Sequence, residues 1–339
     1  MGKGKILVTG GCGYIGSHAI VNLIENGYDV VSVDNLSNSD GSALAGIARI
    51  TGKNVTNHFI DLADRAATLQ LFAHERFDGV IHFAALKAVG ESVQQPLRYF
   101  QNNLNSLLNV VEGMEQSDCR NLIFSSSCSV YGNATDLPVT EATPRMEAES
   151  PYARTKQIGE DILLDYSFVN PAFRTVLLRY FNPAGAHPSG KIGEASSTPA
   201  SNLVPVITET AIGKRSSMTV FGDDYDTRDG SCIRDYIHVV DLAHAHTLAL
   251  DMLLENRQSS NCEIFNLGIG AGVTVLEAIH AFMQETGQPL NYQIGPRRPG
   301  DVVAIYANYD KAAHALGWQP HYSISDIMRT AWEWEKVRG

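Results

Sequence analysis

Three side chains in this sequence could do chemistry together: Ser127, directly behind an apolar run, and Tyr152 and Lys156, one helical turn apart. Pro151 opens a helix, so positions 152 and 156 stand at i and i+4 and project from one face. Free tyrosine has a pKa of about 10, too high for a good base at neutral pH. A neighbouring ammonium and the positive nicotinamide ring of an oxidised cofactor favour the phenolate and lower that value. A phenolate so placed accepts a hydroxyl proton while hydride leaves the same carbon, and Ser127 fixes the oxygen by hydrogen bonding. An isolated Tyr-x-x-x-Lys pair is common by chance, so its meaning depends on what stands upstream.

Upstream, Ile6-Leu7-Val8-Thr9 runs straight into Gly10-Gly11-Cys12-Gly13-Tyr14-Ile15-Gly16. Gly10, Gly13 and Gly16 suit a tight turn, a close approach of backbone to pyrophosphate and close helix–strand packing, with phosphates at the helix N-terminus. The spacing departs from the strict G-x-G-x-x-G fingerprint, but a strand before and a helix after supply the context it needs. Asp34 ends the second strand, where a carboxylate accepts hydrogen bonds from an adenosine ribose and repels a 2′-phosphate. NAD is therefore preferred over NADP; an ordinary strand-end or N-cap aspartate is the alternative. Asp61 closes the third strand and suits either an adenine edge or a solvated cap.

The elements that must position these groups are legible as short β-branched runs separated by helical stretches. The runs are Ile6-Leu7-Val8, Val30-Val31-Ser32-Val33, His58-Phe59-Ile60, Val80-Ile81-His82-Phe83, Leu122-Ile123-Phe124 and Val176-Leu177-Leu178. This alternation predicts an α/β fold built on a doubly wound, Rossmann-type parallel sheet covered on both faces. The first helix spans 14–26, with Ile15, Ala19 and Leu23 at helical spacing and Gly27 as its stop. Ligands then lie beyond the carboxyl ends of the strands, where Ser125-Ser126-Ser127 follow the fifth. From 184 to 205 the chain turns Gly/Pro/Ser-rich. Residues 1–181 are expected to form the NAD-binding domain and 182–339 mainly a smaller substrate domain, with segments near 236–267 returning to the first.

Composition narrows the partners. Against 26 Lys+Arg stand 37 Asp+Glu, a formal net charge of −11, which disfavours nucleic acid and acidic membrane surfaces. Five cysteines without a Cys-x-x-Cys pair fit reduced thiols in a cytoplasmic protein. No run approaches the roughly 20 apolar residues that span a bilayer, and the basic N-terminus precedes a strand, not a signal peptide. His238, His244 and His246 lack a matching carboxylate framework, so no metal is expected.

Several stretches together resemble the UDP-glucose 4-epimerase family of extended short-chain dehydrogenases/reductases. They are the segments from Gly10 to His18, from His82 to Ser92 and from Ser125 to Gly132, then Pro151-Tyr152, the segment from Leu178 to Gly190 and Arg234-Asp235-Tyr236-Ile237-His238-Val239. The resemblance covers essentially the whole chain in order. It implies that NAD removes hydride from C4 of a UDP-hexose, that the 4-keto sugar turns about its diphosphate, and that hydride returns to the other face. It makes Tyr152 the base, Ser127 its assistant and Lys156 the holder of the nicotinamide ribose. To the cofactor it further assigns Tyr14, Ile15, Asn35, Asp61, Leu62, Phe83, Ala84, Lys87, Asn102, Ser125 and Tyr180. To the UDP-sugar it assigns Asn182, Asn202, Leu203, Phe221, Arg234, Arg298 and Asp301. It also implies a homodimer pairing helices near 96–114 and 152–168.

One departure concerns Ile305, which occupies a position where the family carries a bulky tyrosine or a small residue beside the sugar. Its intermediate size leaves UDP-N-acetylhexosamines open as further substrates beside UDP-glucose and UDP-galactose. The enzymatic rival is a nucleotide-sugar dehydratase or decarboxylase on the same scaffold, but Cys128-Ser129 follow Ser127 where related dehydratases carry an Asp-Glu pair. A dinucleotide-sensing protein without turnover is the other class, and the intact Ser127, Tyr152 and Lys156 speak against it.

Overall fold

A computed structural model describes residues 2–195, 200–298 and 301–338. Its first lobe runs β1 (Lys5–Thr9), α1 (Tyr14–Glu25), β2 (Asp29–Val33), α2 (Ser42–Thr51), β3 (Thr56–His58), α3 (Arg65–His74), β4 (Gly79–His82), α4 (Val89–Gln94), α5 (Pro96–Gln116), β5 (Asn121–Ser127), α6 (Pro151–Val169) and β6 (Arg174–Tyr180). There follow β7 (Asn182–Ala184), α7 (Leu203–Ala211), β8 (Met218–Phe221), β9 (Ile233–Arg234), β10 (Tyr236–His238), α8 (Val239–Leu254), β11 (Cys262–Leu267), β12 (Val273–Thr274), α9 (Val275–Thr286), β13 (Tyr292–Gly295), α10 (Asp310–Leu316) and α11 (Ile324–Arg338).

Seven parallel strands form the main sheet in the order β11-β6-β5-β4-β1-β2-β3. Side chains alternate across it, as the period of a strand demands. Ile6 and Val8 join a buried cluster with residues of α1, α8 and α10, while Leu7 joins the opposite cluster with α3, α5 and α6. Burial on both faces is why the central strands read as unbroken apolar runs. The chain runs outward from β1 through β2 and β3 in one direction and through β4, β5 and β6 in the other. Between β1 and β4 lies the switch point at which such sheets hold ligands.

Three runs depart from the sequence reading. The third strand is Thr56–His58, not His58–Ile60: pairing with β2 ends at His58, Ile60 N–H turns back to the His58 carbonyl at 3.0 Å, and Phe59 is exposed. The serines do not follow β5 but form its last three residues. Residues 236–238 stay out of the main sheet and pair with β7, whereas β11 joins its edge beside β6. With α8 packed over the sheet, the chain after 182 passes repeatedly between the two lobes.

The second lobe is built on α7, α9, α11 and the short β8–β13 pair around Val204, Ile207, Phe282, Ile327 and Met328. Part of the Gly/Pro/Ser-rich stretch, 196–199, lies outside the described residues, as do Pro299 and Gly300. Elsewhere in that stretch Ile192 is buried in the core shared with α1 and α8, so the segment is anchored to the sheet lobe despite its irregular sequence.

On the α3–α5 face, Gly113 lets Phe72 lie against the helix, because a Cβ there would sit 2.3 Å from the ring. Gly113→Ala should cost about 1–3 kcal/mol through overpacking, read as a lower denaturation midpoint in urea with the slope unchanged.

Candidate active site

A cleft of about 540 Å³ opens along the carboxyl ends of the strands and continues to α7, β8 and the 298–301 segment. Every site residue predicted from the sequence lines it except Ile305.

At one end β1 leaves the sheet through Gly10, whose φ of 68° is left-handed. The turn brings α1 so close that a Cβ on Gly16 would lie 2.2 Å from the Gly10 carbonyl oxygen. No side chain caps the start of α1, since Gly13 occupies the N-cap. Its first amides therefore face the cleft as unclaimed donors, with the positive end of the helix dipole behind them. This is a bed for pyrophosphate, and the residues present fit a dinucleotide.

Asp34 is fixed by two backbone donors, Cys12 N–H to Oδ2 at 3.0 Å and Leu36 N–H to Oδ1 at 2.8 Å. Burial pushes its carboxyl above the usual range, opposed by these amides. Among the described lining residues the cations are Lys87, Lys156, Arg234 and Arg298, and none flanks Asp34 in an ion pair that would receive a 2′-phosphate. Asp61 lines the cleft and also accepts Ala63 N–H at 2.9 Å, while the true N-cap of α3 is Asp64.

In the middle stand the reactive groups. Ser150 caps α6 and Pro151 is its first residue, as the sequence indicates. Lys156 Nζ donates to the Ser125 carbonyl at 2.5 Å and lies 5.0 Å from the Phe124 ring centre and 5.9 Å from that of Tyr152. Burial pulls the Lys156 ammonium down to about 8, and the Glu160 carboxylate opposes this. Tyr152 departs from the sequence expectation of a lowered value. Burial pushes its phenol up to about 12, and only partly does the hydrogen bond with Ser127 offset that. Desolvation of the phenolate is the larger effect.

At the other end Arg234 Nη1 donates to the Val302 carbonyl of the neighbouring segment at 2.7 Å and to the Ile233 carbonyl of its own strand at 2.8 Å. Arg298 Nη2 donates to Asp301 Oδ1 at 2.6 Å, and its guanidinium lies 5.5 Å from the Phe221 ring. Two guanidinium groups at the mouth can receive a diphosphate by charge-assisted hydrogen bonds.

Ile305 does not reach the cleft. Its amide bonds to the Ile233 carbonyl at 3.2 Å, and its side chain packs among Val130, Tyr131, Val139 and Phe181. The bridge between Ile233 and Ala304 fixes this orientation, so Ile305 forms core behind the wall that Cys128 and Phe181 present.

Three further residues shape the site, of which Glu194 had no signal in the sequence. Glu194 lines the cleft and accepts from Lys87 Nζ at 3.2 Å and Asn202 Nδ2 at 3.0 Å, yet it stands in an irregular stretch. Asp235, fully buried, accepts the amides of Ile269, Gly270 and Ala307 and so ties the Arg234 strand to two loops. Asn103, beside the predicted Asn102, holds the loop at Leu86 against Thr155 of α6.

Known proteins share this arrangement. The family model for GDP-mannose 4,6 dehydratase matches residues 7–331. UDP-glucose 4-epimerase uge1 of Schizosaccharomyces pombe is 48% identical over 338 residues, 98% of this chain and 94% of that protein. The UDP-glucose 4-epimerase of Bacillus subtilis is 45% identical over 330 residues, 97% of this chain and 96% of that one. A crystal structure of UDP-glucose 4-epimerase from Bifidobacterium longum, in complex with NAD+ and UDP, superposes with a TM-score of 0.94 at 44% identity, covering 98% of both chains.

Gly16→Ala should push α1 off the Gly10 turn and lower dinucleotide affinity by about tenfold or more, equivalent to about 1.4 kcal/mol. Nucleotide content per chain after purification, set beside the melting temperature, checks this.

Proposed function

This chain belongs to the UDP-glucose 4-epimerase family, and we propose from that premise that it interconverts UDP-galactose and UDP-glucose at the cleft just described. The observation that carries the reading is one continuous cavity joining the bare N-terminus of α1, the Ser127–Tyr152–Lys156 trio and the pair Arg234 and Arg298. NAD supplies the hydride acceptor, and its positive ring adds to the charge of Lys156; because hydride is returned, no net oxidation results.

In this reading the chain's own groups divide the work by position. Arg234 and Arg298 grip the diphosphate, with Asn182, Asn202, Leu203, Phe221 and Asp301 around the nucleotide, leaving the sugar to reach Tyr152. The Tyr152 oxygen takes the proton of the 4-hydroxyl and gives it back after the sugar has turned. Ser127, already hydrogen-bonded to Tyr152, holds the sugar oxygen during both transfers. Lys156 keeps positive charge beneath the tyrosine, which has to come down from about 12 to serve as a base near neutrality. Asp34 holds the adenosine ribose, and the low polarity of the buried floor strengthens each of these contacts.

The same reading includes a homodimer. Leu97 and Leu108 on α5 and Phe168 and Val169 on α6 expose large apolar side chains, which a helix-pairing interface would cover. Among the described residues no helix is long and apolar enough to cross a membrane, and with its free thiols we assign the protein to the cytoplasm.

Tyr152→Phe should keep NAD and UDP bound while epimerisation of UDP-galactose falls by about 10²–10⁴-fold, the usual worth of a positioned acid–base group; wild-type turnover in this variant would sink the assignment. For the interface, Phe168→Glu should shift sedimentation from dimer to monomer with secondary structure retained.

A further inference from the structure

Beneath the reactive trio, α6 continues its face by one more turn to Glu160, so that Tyr152, Lys156 and Glu160 stand at i, i+4 and i+8. Glu160 is fully buried. Its Oε1 accepts from Ser126 Oγ at 2.5 Å and from Arg179 Nε at 2.8 Å, and its Oε2 accepts from Arg179 Nη2 at 2.6 Å. Arg179, also buried, spends its remaining arm on Tyr131 Oη at 3.0 Å, and Tyr131 donates to Asn266 Oδ1 at 2.6 Å.

Ser126 lies between the two serines that matter for chemistry. Strand alternation sends its hydroxyl to the α6 side, while Ser125 and Ser127 face the other way. Ser125 gives its carbonyl to Lys156, and Ser127 is the partner of Tyr152. One carboxylate thus grips the strand end from behind at the residue between both contacts. A buried ion pair adds little net stability, so stability alone gives no reason for a full Arg–Glu fork at this depth.

We propose that Glu160, fixed by Arg179, is a positioning residue for catalysis: it sets the register of α6 against the end of β5 and keeps negative charge beneath the Lys156 ammonium. The inference rests on the epimerase reading. The charged and titratable groups around Lys156 are Tyr152 and Glu160 on its own helix and His82 on β4, a buried ring that the lysine helps to hold neutral. Around Glu160 stand Arg179 on β6, Arg145, at 3.6 Å from Oε2, and Cys262 on β11, whose thiol burial and the Glu160 carboxylate push up. Burial lowers the Lys156 value and Glu160 raises it. Removing the carboxylate therefore makes Lys156 lose its proton at lower pH.

The test compares wild type, Glu160→Gln and Ser126→Ala for turnover of UDP-galactose across pH, with bound NAD and melting temperature measured on each. In Glu160→Gln, kcat should fall by about tenfold or more, KM should stay within about twofold, and the alkaline limb of the kcat profile should move down by about one pH unit, the usual size for loss of an opposite charge. A folded, NAD-loaded Glu160→Gln enzyme with the wild-type limb overturns the proposal. If Arg179, left unpaired, prevents that variant from folding, Ser126→Ala decides. It loses one hydrogen bond and keeps the ion pair, so lowered kcat with unchanged KM and melting supports positioning, and wild-type kcat overturns it. Absence of turnover in the wild type would instead overturn the epimerase reading.

Discussion

The hydrogen bond from Lys156 to the Ser125 carbonyl, at 2.5 Å, joins the two elements that the reactive end cannot do without. It ties the first turns of α6 to the last residues of β5, and with it the phenol of Tyr152 to the hydroxyl of Ser127. A lysine in that role must stay charged inside protein, where burial already draws it down to about 8. The same dry surroundings push Tyr152 the other way, to about 12. Both shifts have one cause, the burial that penalises charge on either group.

An acidic chain that binds two diphosphates has to solve a local problem against its own field. The solution is separation along the cleft. Donors without side chains, the bare amides of α1, stand at one end, and two guanidinium groups at the other. Asp235 shows how the second is kept in place: a buried carboxylate takes three amides from two loops and leaves Arg234 at the end of a rigid strand. The carboxylate thereby ties the Arg234 segment to both loops.

Much of this was legible in the sequence because parallel sheets put function where strands end. The central strands, buried on both faces, announce themselves as apolar runs, and Gly10, Asp34 and Ser127 stand at or just after such runs, while Pro151 marks the start of the helix that carries Tyr152. What was not legible depended on distant parts of the chain. β3 is an edge strand of three residues, too short to leave a pattern, and it was placed two residues late. Ile305 turns inward because a bridge to Ile233 fixes its backbone, which no local periodicity reports. Glu194 sits in an irregular stretch, and its role is created by Lys87 and Asn202 arriving from elsewhere. The pKa of Tyr152 follows from how deeply the folded chain buries it, and a spacing of four residues says nothing about depth.

The scaffold itself does not decide between turning a sugar over and dehydrating it, as a family model built on a 4,6 dehydratase matching nearly the whole chain makes plain. The decision lies in whether a proton donor stands where a leaving hydroxyl would need one. Directly after Ser127 come Cys128, a thiol that burial pushes up to about 12, and Ser129, whose hydroxyl is buried without a partner. A thiol held that high and a serine hydroxyl are both poor acids near neutral pH, so this segment supplies no ready proton donor for a departing hydroxyl. A missing donor directly after Ser127 therefore favours rotation and the return of hydride over loss of water on this scaffold.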